Sequence, residues 1–155
     1  MADDSPEFFV RTYVRQDEDA VIQLWRDCDL VVPSNDPAKD IAIKLDFQPD
    51  LFFVAVLGGR LVATVMVGYE GHRGWINYLA VDPGRQRRGL GRHMMGVAEE
   101  ALRALGCPKI NLQVRASNQA VIDFYERIGF RVEQRVSFGK RLDGKESGSR
   151  PSSRN

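Results

Sequence analysis

The chain has 155 residues, 43% of them hydrophobic and 28% charged, the size and composition of one globular domain able to bury a full core. Its 22 basic and 21 acidic residues give a formal net charge of +1, so no global field draws it to nucleic acid or a membrane, and any basic function must be local. No stretch reaches the roughly 20 apolar residues of a membrane helix, and MADDSPEFF lacks the basic-then-apolar order of a secretory signal. Cys28 and Cys107 match no metal or redox spacing and suit a reducing cytoplasm. His72 and His93 show no ligand spacing, so no metal is expected.

In chain order, FFVRTYV (8–14) has the aromatic and β-branched content of a strand. Val21, Leu24, Trp25 and Cys28 recur at i, i+3, i+4 and i+7, which predicts a helix over 17–28. VVPSNDP breaks the pattern, and Asp36 before Pro37 reads as an N-cap and first-turn pair opening a helix over 38–46. LFFVAV (51–56) and LVATVMVGY (61–69) read as strands joined by a Gly58-Gly59 hairpin turn, and WINYLAV (75–81) continues the meander after GHRG. A helix follows over 90–105, with Leu90, Met94, Val97, Ala98, Ala101 and Leu105 on one face and Gly106 just past its end. KINLQV (109–114) reads as a strand with Ile110, Leu112 and Val114 on one face. Asn118 can cap a helix to Ile128, closed by Gly129, and FRVEQ and SFGKRL read as two last strands. The expected order is β-α-α-β-β-β-α-β-α-β-β, one mixed α/β domain over 8–142 without internal repeats. A polar tail over 143–155 is expected to be disordered.

QRRGLGRHMM (86–95) sets two glycines and three arginines against a helix start. Glycine inside a helix costs about 1 kcal/mol relative to alanine, so local stability is given up there for bare backbone. The first N–H groups of a helix lack internal partners and carry the positive end of its dipole, which suits an anion. One helix end contributes only about 0.3–2 kcal/mol, so a diphosphate needs several N–H groups plus arginine charge. A dinucleotide fingerprint needs a third glycine where Met94 stands, and a P-loop needs Lys-Ser/Thr where Leu90 and Gly91 follow Gly89. Two blander readings remain, a solvated arginine-rich helix start and a nucleic-acid patch of Arg85, Arg87, Arg88 and Arg92. The lack of a second basic cluster weakens the latter.

The remaining pattern is Gln/Arg-x-x-Gly-x-Gly/Ala, here Gln86-Arg87-Arg88-Gly89-Leu90-Gly91, and it resembles the pyrophosphate loop of the GNAT acyltransferases. The order of LAVDPGRQRRGLG, a further strand and then SNQAVIDFYERIGF is similar to that family from about Phe8 to Leu142. LWRDCDLVVPSNDP, GYEGHRG, GCPKI and GKRL resemble one bacterial branch of it. The resemblance implies the GNAT fold, with a mostly antiparallel sheet splayed at the coenzyme site, and acetyl-CoA as acyl-donor cosubstrate without a metal. It implies that the backbone of Leu79, Ala80 and Val81 pairs with the pantetheine arm. Gln86 and the backbone from Arg87 through Arg88, Gly89, Leu90 and Gly91 to Arg92 would hold the diphosphate, Asn118 would touch the coenzyme, and Tyr125 would face the thioester sulfur. Each role has a structural alternative: a core strand, a solvated loop, an N-cap, and a core face shared by Val121, Phe124, Tyr125 and Ile128.

A phenol of pKa about 10 is a weaker acid than a thiol of about 8.5, so full proton transfer from Tyr125 is uphill by about 2 kcal/mol. A hydrogen bond to the departing thiolate is therefore the favoured role. The attacking amine must also be neutral, which for a lysine-like group costs roughly 4–5 kcal/mol at pH 7, and so a base is expected. Many relatives carry Glu where this chain has Asn77, and the ribosomal N-terminal acetyltransferases carry Glu where LQVRASN has Gln113. Neither amide accepts a proton usefully. Glu70 and His72 remain as catalytic candidates, with a solvated hairpin as the alternative, and Tyr78 either lines the acceptor side or packs in the sheet. The family's acceptor loop corresponds to DLVVPSNDP, whose Asp29 and Asp36 would attract a cationic amine, although capping already explains Asp36. The expected function is N-acetylation of a small-molecule or amino-acid-like amine. Protein N-terminal or lysine acetylation and a non-catalytic acyl-CoA-binding module are the alternatives. Neither nucleic acid nor membrane is expected as a partner, and the resemblance admits a homodimer.

Overall fold

The computed structural model describes residues 8–145. Strands β1 (Phe8–Thr12), β2 (Phe52–Leu57), β3 (Arg60–Tyr69), β4 (Gly74–Val81) and β5 (Ile110–Asn111) form one sheet in the order β1-β2-β3-β4-β5. The first four pair antiparallel and β5 joins β4 in parallel. Short turns make the meander possible. Gly58 and Gly59 both take positive φ, 56° and 75°, the backbone that lets two residues close a hairpin with the natural strand twist.

β3 reads as a near-continuous apolar run because both faces of the sheet are covered. On one face, α3 (Leu90–Ala104) and α4 (Gln119–Arg127) bring Met94, Met95, Ala98, Leu102 and Tyr125 against Ala63, Val65 and Val67. On the other, α1 (Glu18–Asp27) and α2 (Pro37–Phe47) pack Val21, Trp25 and Ile41 against Phe52, Val54, Met66 and Ala80. Asp36 caps α2, its carboxylate accepting the Lys39 N–H at 3.2 Å, and Asn118 caps α4 by accepting the Val121 N–H at 3.3 Å. Asp17, ahead of α1, accepts the Val14 N–H at 2.9 Å and takes Arg11 on both oxygens at 2.7 and 2.9 Å, tying β1 to the helix.

The elements expected up to residue 106 form within a few residues of their expected ends; the C-terminal third differs. The strand expected over 109–114 pairs for two residues, and among the described residues FRVEQ and SFGKRL carry no strand pairing. β5 parts from β4 after Asn111, so there is no long ladder for later strands to extend. The segment after α4 is held beside β5 by side chains instead: Lys109 Nζ and Asn111 Nδ2 donate to Glu133 at 2.7 and 3.2 Å, and Gln113 donates to Ser137 Oγ at 2.5 Å. Val132, Val136, Phe138 and Leu142 stay exposed. Of the expected tail, 143–145 have no helix or strand, and 146–155 lie outside the described residues.

Candidate active site

β4 and β5 share two register pairs, Gly74 with Ile110 and Trp75 with Asn111. Beyond them, among the described residues, β4 pairs with β3 on one edge and with no strand on the other. The gap opens where β4 bulges. Thr64 pairs with Ala80 and Met66 with Asn77, so Tyr78 and Leu79 face Val65 alone, and Tyr78 takes φ +50°. A bulky residue in the left-handed region is strained and needs support. That support is a buried relay: Trp25 Nε1–H donates to Thr64 Oγ1 at 2.9 Å, and the Thr64 hydroxyl donates to the Tyr78 carbonyl at 2.8 Å. The Tyr78 ring stacks on Trp25 with centroids 3.7 Å apart. Its hydroxyl donates to Asp40 Oδ2 at 2.5 Å and accepts from Asn35 Nδ2 at 2.6 Å. Burial, then the Asp40 carboxylate, raises this phenol far above its ordinary pKa.

The side chains of Leu79 and Val81 pack toward α3 and that of Ala80 toward α1. These residues are core by side chain, while among the described residues the strand edge away from β3 has no strand partner here. The chain then turns through Pro83–Arg85, where Asp82 accepts the Gly84 N–H at 2.9 Å. The Val81 carbonyl receives Gln86 Nε2 at 3.1 Å and the Cys28 thiol at 3.2 Å. Arg87 and Gly89 both take left-handed backbone, with φ of 68° and 77°.

α3 starts with no side-chain cap, and its first N–H groups have no helical partner. The two glycines serve different ends. A Cβ on Gly89 would meet nothing within 4 Å, so its positive φ is the reason for glycine. A Cβ on Gly91 would stand 3.4 Å from Phe124 Cζ and 3.7 Å from Val81 Cγ2. Those are ordinary contact distances, so an added Cβ at Gly91 would point inward, toward α4 and β4, and fit there without displacing them. Among the described residues, Arg85, Arg87, Arg88 and Arg92 pair with no carboxylate.

Tyr125 follows Phe124 on α4 and lines a cleft of about 1040 Å³ with Trp75, Leu112, Ile122, Phe130 and Val136. The residue is buried, its ring meeting Phe124 and Phe130 edge-on at 5.1 and 5.5 Å. Desolvation pushes its phenol up to about 12. The hydroxyl therefore stays protonated at neutral pH and can act only as a donor toward an anion.

The structure does not bring Glu70 and His72 to this loop. They sit on the β3–β4 turn before Gly74, while the loop follows Val81, roughly 25 Å away along an eight-residue strand. The Glu70 carboxylate closes that turn, accepting the His72 and Arg73 N–H groups at 2.9 and 2.6 Å, and these bonds hold its pKa below the usual carboxylate range. Asn118 is exposed and caps α4, and Asp29 is exposed just past α1. Sequence reasoning missed Asp40 and Lys44. Asp40 lies one turn beyond Asp36, a spacing that could have flagged it. Lys44 occupies an apolar position of α2 one turn after Ile41. It donates to the Val67 carbonyl, and desolvation pushes its pKa down to about 8.

Among the described residues, no helix is long and apolar enough to cross a membrane, and no group of three metal-ligating side chains is found. The family model described as the acetyltransferase (GNAT) family matches residues 18–130. An acetyltransferase of Pectobacterium atrosepticum is 46% identical over 133 residues, which cover 86% of this chain and 94% of that one. Among solved structures, the PaiA N-acetyltransferase of Thermoplasma acidophilum with coenzyme A superposes with TM-score 0.73 at 17% identity, covering 84% of this chain and 93% of that one. The aminoglycoside N-acetyltransferase AAC(6')-Iy with CoA gives TM-score 0.71 at 15% identity, covering 92% and 99%. With the family matched over most of its length and a relative at 46% identity, the chain belongs to the GNAT family of acyltransferase enzymes.

Proposed function

We propose that the chain is an acetyl-CoA-dependent N-acetyltransferase acting by direct attack on a primary amine of a small, amino-acid-like molecule. One observation carries this reading: the uncapped start of α3, with Gly89 left-handed and four unpaired arginines around it, meets the free edge of β4 and α4 at Gly91. Backbone N–H groups of Arg87 to Arg92 hold the diphosphate, aided by arginine charge and Gln86. The open edge at Leu79, Ala80 and Val81 pairs with the pantetheine arm, and Asn118 contacts the coenzyme from the start of α4. The two solved GNAT folds that hold coenzyme A support the same ligand here. The free thiols Cys28 and Cys107 support a reducing, cytoplasmic setting.

In the transfer, the amine nitrogen attacks the thioester carbon, a C–N bond forms, the C–S bond breaks and the electron pair leaves on sulfur. Tyr125 donates a hydrogen bond to that sulfur. With its pKa at about 12, complete proton transfer to a thiolate is uphill by about 5 kcal/mol, so the proton stays on the phenol. Asn77 and Gln113 are amides, the latter engaged by Ser137, and the Glu70 carboxylate is taken up by the His72 and Arg73 N–H groups of its own turn. The amine's proton therefore leaves to solvent through the open cleft.

Isothermal titration with acetyl-CoA, adenosine 3′,5′-bisphosphate and ATP tests the reading. Micromolar acetyl-CoA binding that ATP does not match is the expected result. No binding would overturn it. Thiol release with any amine excludes a non-catalytic binding module.

A further inference from the structure

Thr64 interrupts the apolar run from Val62 to Val67 with a hydroxyl, and among the described residues it is the one buried polar side chain with no exposure at all. A valine has nearly the same shape and none of the cost of burying a polar group. The hydroxyl is used twice: it accepts Trp25 Nε1–H at 2.9 Å and donates to the Tyr78 carbonyl at 2.8 Å. The indole can only donate, so the single hydroxyl hydrogen is left for the carbonyl. Thr64 stands opposite Ala80 in register, and its side chain therefore reaches back along β4 to the left-handed residue of the bulge, Tyr78. Other groups anchor the Tyr78 ring: Trp25 by stacking, Asn35 and Asp40 through the hydroxyl. Thr64 anchors its backbone.

The planar peptide carries the effect one atom further. The Tyr78 carbonyl and the Leu79 N–H belong to one trans unit and point in opposite directions. The carbonyl is held toward Thr64, a β3 side chain that meets Trp25 of α1. The Leu79 N–H is thereby turned away from β3 and α1, toward the edge of β4 that has no strand partner here. The chain beyond the bulge has the same phase. The Asp82 N–H donates to the Val62 carbonyl at 2.8 Å, and backbone groups of successive residues turn to opposite edges of a strand. Ala80 therefore faces β3, and Leu79 and Val81 face the other edge. The Val81 carbonyl there is already taken by Gln86 and Cys28. Leu79 is the residue at that edge whose N–H direction depends on the bulge.

We infer that Thr64, oriented by Trp25, is a positioning residue for the coenzyme: by holding the Tyr78 carbonyl it aims the Leu79 N–H at a carbonyl oxygen of the acetyl-pantetheine arm. This rests on the acetyl-CoA reading above. Thr64→Val removes the hydroxyl and keeps the shape, whereas Thr64→Ser keeps the hydroxyl. Both are compared with wild type by acetyl-CoA titration and by backbone amide exchange with and without acetyl-CoA. In wild type, acetyl-CoA should slow exchange of the Leu79 N–H on the order of tenfold or more, as a new hydrogen bond does. Thr64→Val should lose that protection and bind acetyl-CoA about tenfold more weakly, while Thr64→Ser stays within about twofold of wild type on both measures. A folded Thr64→Val that keeps either the affinity or the Leu79 protection overturns the inference. So does a Thr64→Ser variant that loses as much as Thr64→Val, since packing would then be the reason for threonine. Should Thr64→Val fail to fold, Thr64→Ser and Thr64→Ala, which differ by the hydroxyl alone, take its place with the same expectations. If wild type binds acetyl-CoA without protecting Leu79, the inference falls and the coenzyme reading stands. If acetyl-CoA does not bind, both fall.

Discussion

Helices α2 and α3 both follow a proline-containing link, yet they begin in opposite ways. α2 has Asp36 accepting an N–H of its first turn and Pro37 at its first position. α3 has a left-handed glycine and no side-chain cap, next to a second left-handed residue, Arg87. The first start satisfies its donors within the chain; the second keeps them free and surrounds them with positive charge. A helix start that gives up about 1 kcal/mol of capping and accepts backbone strain at an arginine is, on the proposed function, completed by the coenzyme diphosphate.

The largest effect expected near this start belongs to the neighbouring helix. α4 is capped in the ordinary way by Asn118, yet it carries Tyr125, and Tyr125→Phe should lower kcat by about 10²-fold, the usual loss for one donor to a developing anion. Titration should find the acetyl-CoA affinity of that variant unchanged. An unaltered kcat would return Tyr125 to packing alone.

The two glycines of the loop sharpen the contrast. Gly89→Ala forces a Cβ into the left-handed region, a cost of roughly 1–2 kcal/mol, and should weaken both apo stability and coenzyme affinity. Gly91→Ala puts its Cβ at ordinary contact distance from Phe124 and gains helix propensity of about 1 kcal/mol. Its melting temperature and coenzyme affinity should both hold. A loss of affinity in the Gly91 variant alone would mean that the ligand, not Phe124, needs the bare backbone there.

Asp36→Ala is the converse at α2. Melting should show a loss of about 1 kcal/mol, with coenzyme affinity as in wild type. The smallest effect is at α1. The Arg11 hydrogen bond, helped by the Val14 N–H, holds the Asp17 carboxyl below its ordinary pKa. A lowered folded pKa stabilises above the unfolded value of about 3.9 and is lost as pH falls through the folded one. Denaturant melts between pH 5 and pH 2 should show wild type losing under about 1 kcal/mol more than Asp17→Asn.

Legibility followed the distance over which a feature is decided. The Asp36 cap, the Gly58-Gly59 turn and the glycine loop each depend on a few adjacent residues, and each stands where the residue types require. The Phe124–Gly91 proximity joins residues far apart in the chain, and so the inward direction of the Gly91 Cβ position was invisible. Glu70 remained as a candidate base only because Asn77 and Gln113 are amides; the two turn N–H groups that its carboxylate accepts are the hairpin role that stood as its alternative. FRVEQ and SFGKRL alternate as strands should, but a strand also needs a neighbouring edge, and β5 is two residues long.

By itself the sequence determined where the helices begin, where the meander turns and which loop offers its N–H groups, because capping, backbone angle and hydrophobic period act within a turn or two. Only the tertiary structure decided which edge of β4 stays unpaired, that Glu70 and His72 stand at the far end of that strand, and that Tyr78 meets Asp40 across 38 residues of chain. Those outcomes depend on strand register and on burial between distant segments, which no local pattern encodes.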